Sequence, residues 1–130
     1  MTVEVAIALV WKDGRLLLSR RPDDAHLGGL WEFPGGKLEA DESPERAAER
    51  EVLEELRVTC RARSRRASIA HDYADRSVIL HPVDCDYVSG EPRALEVSAF
   101  AWVIPAELGG YEFPEANAKL LAELAQSPPA

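Results

Sequence analysis

The chain has 130 residues, 46% of them hydrophobic and 29% charged, a length and balance that fit one soluble globular domain with a core of its own. Its net charge of −8 excludes the basic footprint by which proteins grip nucleic acid, yet allows a phosphate substrate approached through a divalent metal. Cys60 and Cys85 have neither metal-ligand spacing nor a disulfide framework, so two buried thiols in a reducing cytoplasm are expected.

The opening "MTVEVAIALVWKDGR" has no basic leader region and only a short apolar run. It is expected to be a first strand, not a signal peptide or a membrane span. "VEVAIALVW" and "RLLLSRR" flank Asp13-Gly14, which predicts a hairpin. Residues 22–29, "PDDAHLGG", read as a polar loop, and "LWEFPGG" as a lead into a tight turn at Gly35-Gly36. A helix should follow from Pro44 to Leu56. Ser43 is its N-cap, Pro44 suits the first helical position and Glu45 favours the positive end of the dipole. Ala48, Val52 and Leu56 give it one apolar stripe.

Beyond the helix, "VTCRARSRRASIA" reads as a strand whose alternating Arg61, Arg63 and Arg65 share one face, either solvated or turned to phosphate. "SVILHPVDCDYV" is a further strand in which Pro82 points to an edge or a bulge. A turn at residues 89–92, a strand in "VSAFAWVI" and a terminal helix in "PEANAKLLAELAQ" complete the elements, with Leu120, Leu121 and Leu124 facing inward and "SPPA" as a tail. No repeat, linker or second domain is expected. The order suggests an α+β class in which a mixed sheet lies between helices, as a single domain over residues 1–130.

The stretch "REVLEEL" crowds Glu51, Glu54 and Glu55 onto one helical edge. Like charges three or four apart cost about 0.2–0.5 kcal/mol per pair. Arg46 and Arg50 could offset part of that on a solvated face. The alternative is a metal site, because hard cations such as Mg²⁺ take carboxylate, carbonyl and phosphate oxygens. Glu51, Glu54 and Glu55 then supply carboxylates, the Gly35-Gly36 bend brings a carbonyl near, and Glu42 can reach the same ion.

The run "GKLEADESPERAAEREVLEELRV" resembles the Nudix box. Gly36, Glu42, Arg50, Glu51, Val52, Glu54, Glu55 and Val58 occupy eight of its nine defined positions, and Arg57 stands where the family usually has Gly. "RRPDDAHLGGLWEFPGGKLE", "SGEP", "AWV" and "FPEAN…LL" extend the likeness to MutT-type nucleoside triphosphate pyrophosphohydrolases. The resemblance implies a Nudix fold, an α/β/α sandwich. It implies hydrolysis of nucleoside triphosphates to monophosphate and pyrophosphate with Mg²⁺, or Mn²⁺, as cofactor. The metal ligands would be Glu51, Glu54 and Glu55, the Gly35 carbonyl and the accessory Glu42. Arg50 would orient a glutamate, and Glu51 is one candidate general base.

MutT itself carries a Glu immediately before the late tryptophan. Here Ala101 precedes Trp102, and Glu96 is the nearest replacement. By the same likeness Arg21, His26, Phe33 and Asn117 would touch substrate, with a surface arginine, a solvated loop histidine, a core aromatic and a helix cap as their plainer roles. Trp31 and Tyr73 are further candidates for the pocket wall, and His71 and His81 read as structural. An asparagine at 117 suits the O6 edge of a guanine-type base, so 8-oxo-dGTP is the leading substrate. CTP or another pyrimidine triphosphate is the alternative. A non-catalytic module that recognises oxidised guanine is the rival of another class. No membrane contact and no stable nucleic-acid complex are expected, and the protein would be a cytoplasmic monomer or homodimer.

Overall fold

A computed structural model describes residues 1–25 and 27–126. Long strands β1 (Thr2–Lys12) and β7 (Ser77–Ser89) run parallel over Thr2↔Ser77 to Trp11↔Asp86 and form the centre of an eight-stranded sheet. All other strand pairs are antiparallel, so the sheet is mixed. β2 (Arg15–Arg20) folds back on β1 through Asp13 and Gly14, whose φ values of 51° and 77° are those of a type I′ turn. β3 (Trp31–Glu32) and β8 (Ala99–Val103) flank β2, β4 (Gly35–Lys37) pairs with β1, and β5 (Thr59–Arg65) and β6 (Ile69–Asp72) both pair with β7.

Helix α1 (Pro44–Leu56) covers one face of this sheet, and α2 (Ala118–Gln126), with two short 3₁₀ turns before it, covers the other. Period-2 alternation divides the strands between two cores. Leu16 and Leu18 face α2, while Leu17 faces α1 beside Ala47, Ala48, Val52 and Leu56. Because both faces are covered, β1 and β2 read as unbroken apolar runs. Burying each Leu or Val contributes about 1.5–3 kcal/mol. Cys60 and Cys85 are free, buried thiols in the α1-side core.

Four local expectations give way to tertiary packing. Gly35 and Gly36 form strand β4, not a turn. The reason is space, since a side chain on Gly35 would run into the Ala6 carbonyl and one on Gly36 into the Glu51 carboxylate. The single strand expected after α1 is two, and a register shift between Ala62 and Ser64 reverses the alternation. Arg63 therefore pairs with Asp86 on one face and Arg65 with Glu45 of α1 on the other, both partly solvated.

Pro82 lies inside the central strand rather than at an edge. On the side away from β1, β6 pairs as far as Leu80 and β5 begins at Val83, so the missing N–H falls where one partner hands over to the next. The terminal helix begins at Ala118, because residues Glu115–Asn117 form a 3₁₀ turn. Leu120 and Leu124 are fully buried, and Leu121 packs against the same core from a more exposed position. Among the described residues no helix is long and apolar enough to cross a membrane.

Candidate active site

α1 starts as its sequence dictates. Ser43 is extended and its side chain accepts from the Arg46 amide at 3.2 Å, Pro44 is the first helical residue, and Glu45 lies in the first turn. At the other end Arg57 takes the left-handed conformation, φ 59° and ψ 27°, and its N–H closes on the Leu53 carbonyl. The turn usually made by Gly is thus kept with a side chain in it, at a cost of about 1–2 kcal/mol. The Arg93 and Leu95 amides donate to the Leu56 and Glu55 carbonyls, so the segment before β8 satisfies the helix end and carries Glu96 with it.

Arg50 is the hub of the glutamate cluster. Its guanidinium donates to Glu42 at 2.7 and 2.9 Å, to Glu51 at 2.8 Å, to Glu54 at 3.1 Å and to the Lys37 carbonyl at 3.2 Å. These charge-assisted bonds pull the Glu42 carboxyl down to about 2 and hold Arg50 well above its ordinary value. The repulsion expected on this helix edge is therefore offset chiefly by Arg50, since Glu49 turns instead to accept the Ala62 amide at 2.7 Å.

Glu55 is in a different state. It is only 8% exposed, its Oε1 has no partner, and burial together with a hydrogen bond to the neighbouring Glu51 pushes its carboxyl up to about 9. A Gly35 amide bond opposes that rise only in part. Two carboxylates sharing one shielded site, with one oxygen unmet, form an arrangement that a proton or a hard cation relieves. Glu54 is turned toward Arg50. Among the described residues, no three His, Cys, Asp or Glu side chains are gathered as a cluster able to hold a metal ion.

A cleft of about 230 Å³ opens beside this pair, lined by Arg21, Pro22, Ala25, Glu32, Gly35, Glu55, Glu96 and Val97. It brings Arg21, Gly35 and Glu55 together and adds Glu96. It also contains a residue that sequence reasoning passed over. Glu32 pairs across β2–β3 with Ser19 and points to the α1 side, where both of its carboxylate oxygens accept from Arg21 Nη1 at 3.1 and 3.2 Å. The signal was available in the alternation of "WEF", which sets Glu32 opposite to Trp31 and Phe33.

The base-side candidates lie on the α2 face. Phe33 is fully buried against Phe113, with ring centroids 5.2 Å apart, and serves as a core aromatic. Trp31 meets Tyr111 edge to face, and the Tyr73 hydroxyl accepts from the Ala116 amide. Asn117 does not cap α2, because the chain enters that helix through the 3₁₀ turn, whose N-cap is Pro114. It is 6% exposed, its Nδ2 reaches the Pro114 carbonyl at 3.5 Å, and its Oδ1 has no partner. The Nε of Arg76, between β6 and β7, is another buried and unmet polar atom. His71 lies against Tyr73 and Glu115, and His81 bridges Glu4 and Ser68. His26 lies outside the described residues.

The acidic edge of α1 and Arg21 at the end of β2 thus meet at one cleft, and comparison with known proteins gives the family. The NUDIX domain model matches residues 5–123. The chain is 36% identical over 119 residues to the CTP pyrophosphohydrolase of Escherichia coli K12, covering 92% of this chain and 88% of that protein. It is 31% identical over 123 residues to the 8-oxo-dGTP diphosphatase of the same organism, covering 94% and 95%. The crystal structure of MutT protein from Methanosarcina mazei superposes with a TM-score of 0.84 at 26% identity, over 96% of this chain and 94% of that one. The chain therefore belongs to the Nudix hydrolase family, with the α+β sandwich of its MutT members. Enzymes of this family generally depend on a divalent metal.

Proposed function

We propose that the protein hydrolyses nucleoside triphosphates to monophosphate and pyrophosphate, with oxidised guanine nucleotides such as 8-oxo-dGTP as its preferred substrates. The work is nucleotide-pool cleansing in the cytoplasm, by a monomer or homodimer that forms no stable nucleic-acid complex. Asn117 carries the base assignment. Its buried carboxamide has an unmet acceptor and a weakly engaged donor. An unmet buried polar atom costs about 1–3 kcal/mol, which a bound base would recover. A guanine-type base offers the complementary donor and acceptor edge.

At the phosphate end, Glu51, Glu54 and Glu55 would hold Mg²⁺ or Mn²⁺, with the Gly35 carbonyl and Glu42 as further ligands and Glu96 supplied from the same cleft. The orphaned Glu55 oxygen and its contact with Glu51 support that fit. Glu54, 47% exposed, can exchange Arg50 for the cation at little cost. When bound, the metal neutralises charge growing on the phosphoryl oxygens and lowers the pKa of water. Glu51 takes a proton from the attacking water, Arg50 fixes the Glu51 carboxylate, and Arg21 meets a phosphate. A module that only bound oxidised guanine would need no such set of glutamates.

CTP is the second reading, favoured by the 36% identity to the CTP pyrophosphohydrolase against 31% to the 8-oxo-dGTP diphosphatase. Side-by-side kcat/KM values for 8-oxo-dGTP, dGTP, dCTP and CTP with Mg²⁺ separate the two. A preference of about a hundredfold for 8-oxo-dGTP over dGTP, about 2.7 kcal/mol in the transition state, is expected. A cytidine preference overturns the base assignment.

A further inference from the structure

The cleft holds one carboxylate too many for the roles given above. Glu32 adds a further negative charge beside Glu51 and Glu55, where it repels both and would repel an anionic substrate. Its side chain is only 23% exposed, and burial raises its carboxyl pKa against the opposing pull of Arg21. A part-buried acid in that position carries an electrostatic cost, which pairing with a cation offsets.

That partner is Arg21, one residue beyond the end of β2. The Ser19↔Glu32 register sets Glu32 on the same face of the sheet as Arg21, and one guanidinium nitrogen, Nη1, donates to both carboxylate oxygens. The Arg21 backbone is fixed as well, since its amide donates to the Leu30 carbonyl and its own carbonyl accepts from Gly29. An arginine left loose in a cleft loses rotamer freedom each time it grips a phosphate. One already held by a rigid strand does not.

We propose that Glu32 is a positioning residue, which holds the Arg21 guanidinium at the phosphate end of the cleft ready for the nucleotide's polyphosphate. The proposal rests on the reading of Arg21 as a phosphate contact. It gives Glu32 an influence on substrate affinity through Arg21 and none of its own.

A double-mutant cycle tests it, with KM, kcat and thermal unfolding measured for the wild type, Arg21→Ala, Glu32→Ala and the double variant. Loss of uniform binding raises KM with kcat little changed, so Arg21→Ala should raise KM about tenfold and Glu32→Ala should reproduce a large part of that rise. The double variant should be no worse than Arg21→Ala alone, because Glu32 has nothing left to position. Glu32→Gln keeps an acceptor and should fall between wild type and Glu32→Ala.

A lower KM in Glu32→Ala overturns the proposal, since the carboxylate would then only repel substrate. Multiplicative effects in the double variant overturn it too, as does a fall in melting temperature with KM unchanged. An Arg21→Ala protein with wild-type KM removes the phosphate contact and the proposal with it. A wild type that releases no pyrophosphate overturns the hydrolase reading instead, and the same cycle run on nucleotide dissociation constants then decides the role of Glu32.

Discussion

Each face of the sheet carries an apolar core, and the two faces differ in the polar groups set beside it. Beside the α1-side core, along the outer edge of α1, charged groups are packed against each other, with Arg50 bound to three glutamates and Glu55 held in a shielded site with one oxygen unmet. On the α2 face, aromatic and aliphatic side chains fill the space, and Asn117 is a rare polar group among them. The first arrangement suits chemistry on a phosphate chain, which every nucleotide shares. The second suits discrimination among bases. A change on the α1 face should therefore alter rate for all nucleotides alike, and a change at Asn117 should alter their ranking.

The largest expected effect is on the α1 face. Glu54→Gln should lower kcat by about a thousandfold for each nucleotide, since it weakens the hold on the metal that neutralises transition-state charge. Full activity in that variant would remove Glu54 from the site. The next largest effect belongs to Asn117. Asn117→Asp replaces the amide's donor with a second acceptor and should reduce the preference for 8-oxo-dGTP over CTP by about tenfold or more while leaving activity in place. An unchanged ranking would detach Asn117 from base recognition.

A smaller effect appears in stability. Glu55 is raised to about 9 in the folded protein from an ordinary value near 4.5. Between those values the folded state holds a proton that the unfolded state has released. In metal-free protein its contribution to folding stability should therefore be complete below about 4.5 and be lost as pH rises toward about 9. Glu42 acts in the opposite sense, because its value is lowered to about 2, so its contribution is complete above about 4.5 and is lost as pH falls toward about 2. Urea unfolding in chelator across pH 5–9 checks the first of these, and Glu55→Gln should flatten the slope. An equal slope in that variant would show that other groups carry it. The smallest effect is local. Arg57→Gly should stabilise the fold by about 1 kcal/mol or less, by relieving a left-handed side-chain residue at the end of α1. A lower melting temperature would contradict that.

How far the sequence could be read follows the same division. α1 was legible to the residue, because Ser43, Pro44 and the stripe at Ala48, Val52 and Leu56 are local signals that the tertiary structure leaves intact. The sandwich and its mixed sheet were legible as a class. What failed were features decided at long range. Gly35 and Gly36 look like a turn until β1 and Glu51 arrive beside them. The bulge after Ala62, which sends Arg63 and Arg65 to opposite faces, is set by pairing with β7. Pro82 sits in an interior strand only because two different partners meet there. Of the site, the crowding of Glu51, Glu54 and Glu55 was legible on the helix, the role of Arg50 came from the resemblance to the Nudix box, and Arg21 from the wider likeness to MutT-type enzymes. The face of Glu32 was legible in the alternation of "WEF", but its pairing with Arg21 and the unmet oxygen of Asn117 depend on which side chains meet and which find no partner.

The most direct test of the acidic cleft as catalytic centre is Mg²⁺-dependent pyrophosphate release by the wild type and by Glu51→Gln, each given 8-oxo-dGTP and CTP in turn. Pyrophosphate and monophosphate are expected from the wild type, and in the variant a loss of about a hundredfold or more that is the same for both nucleotides. Wild-type rates in Glu51→Gln, or a loss confined to one base, would contradict it.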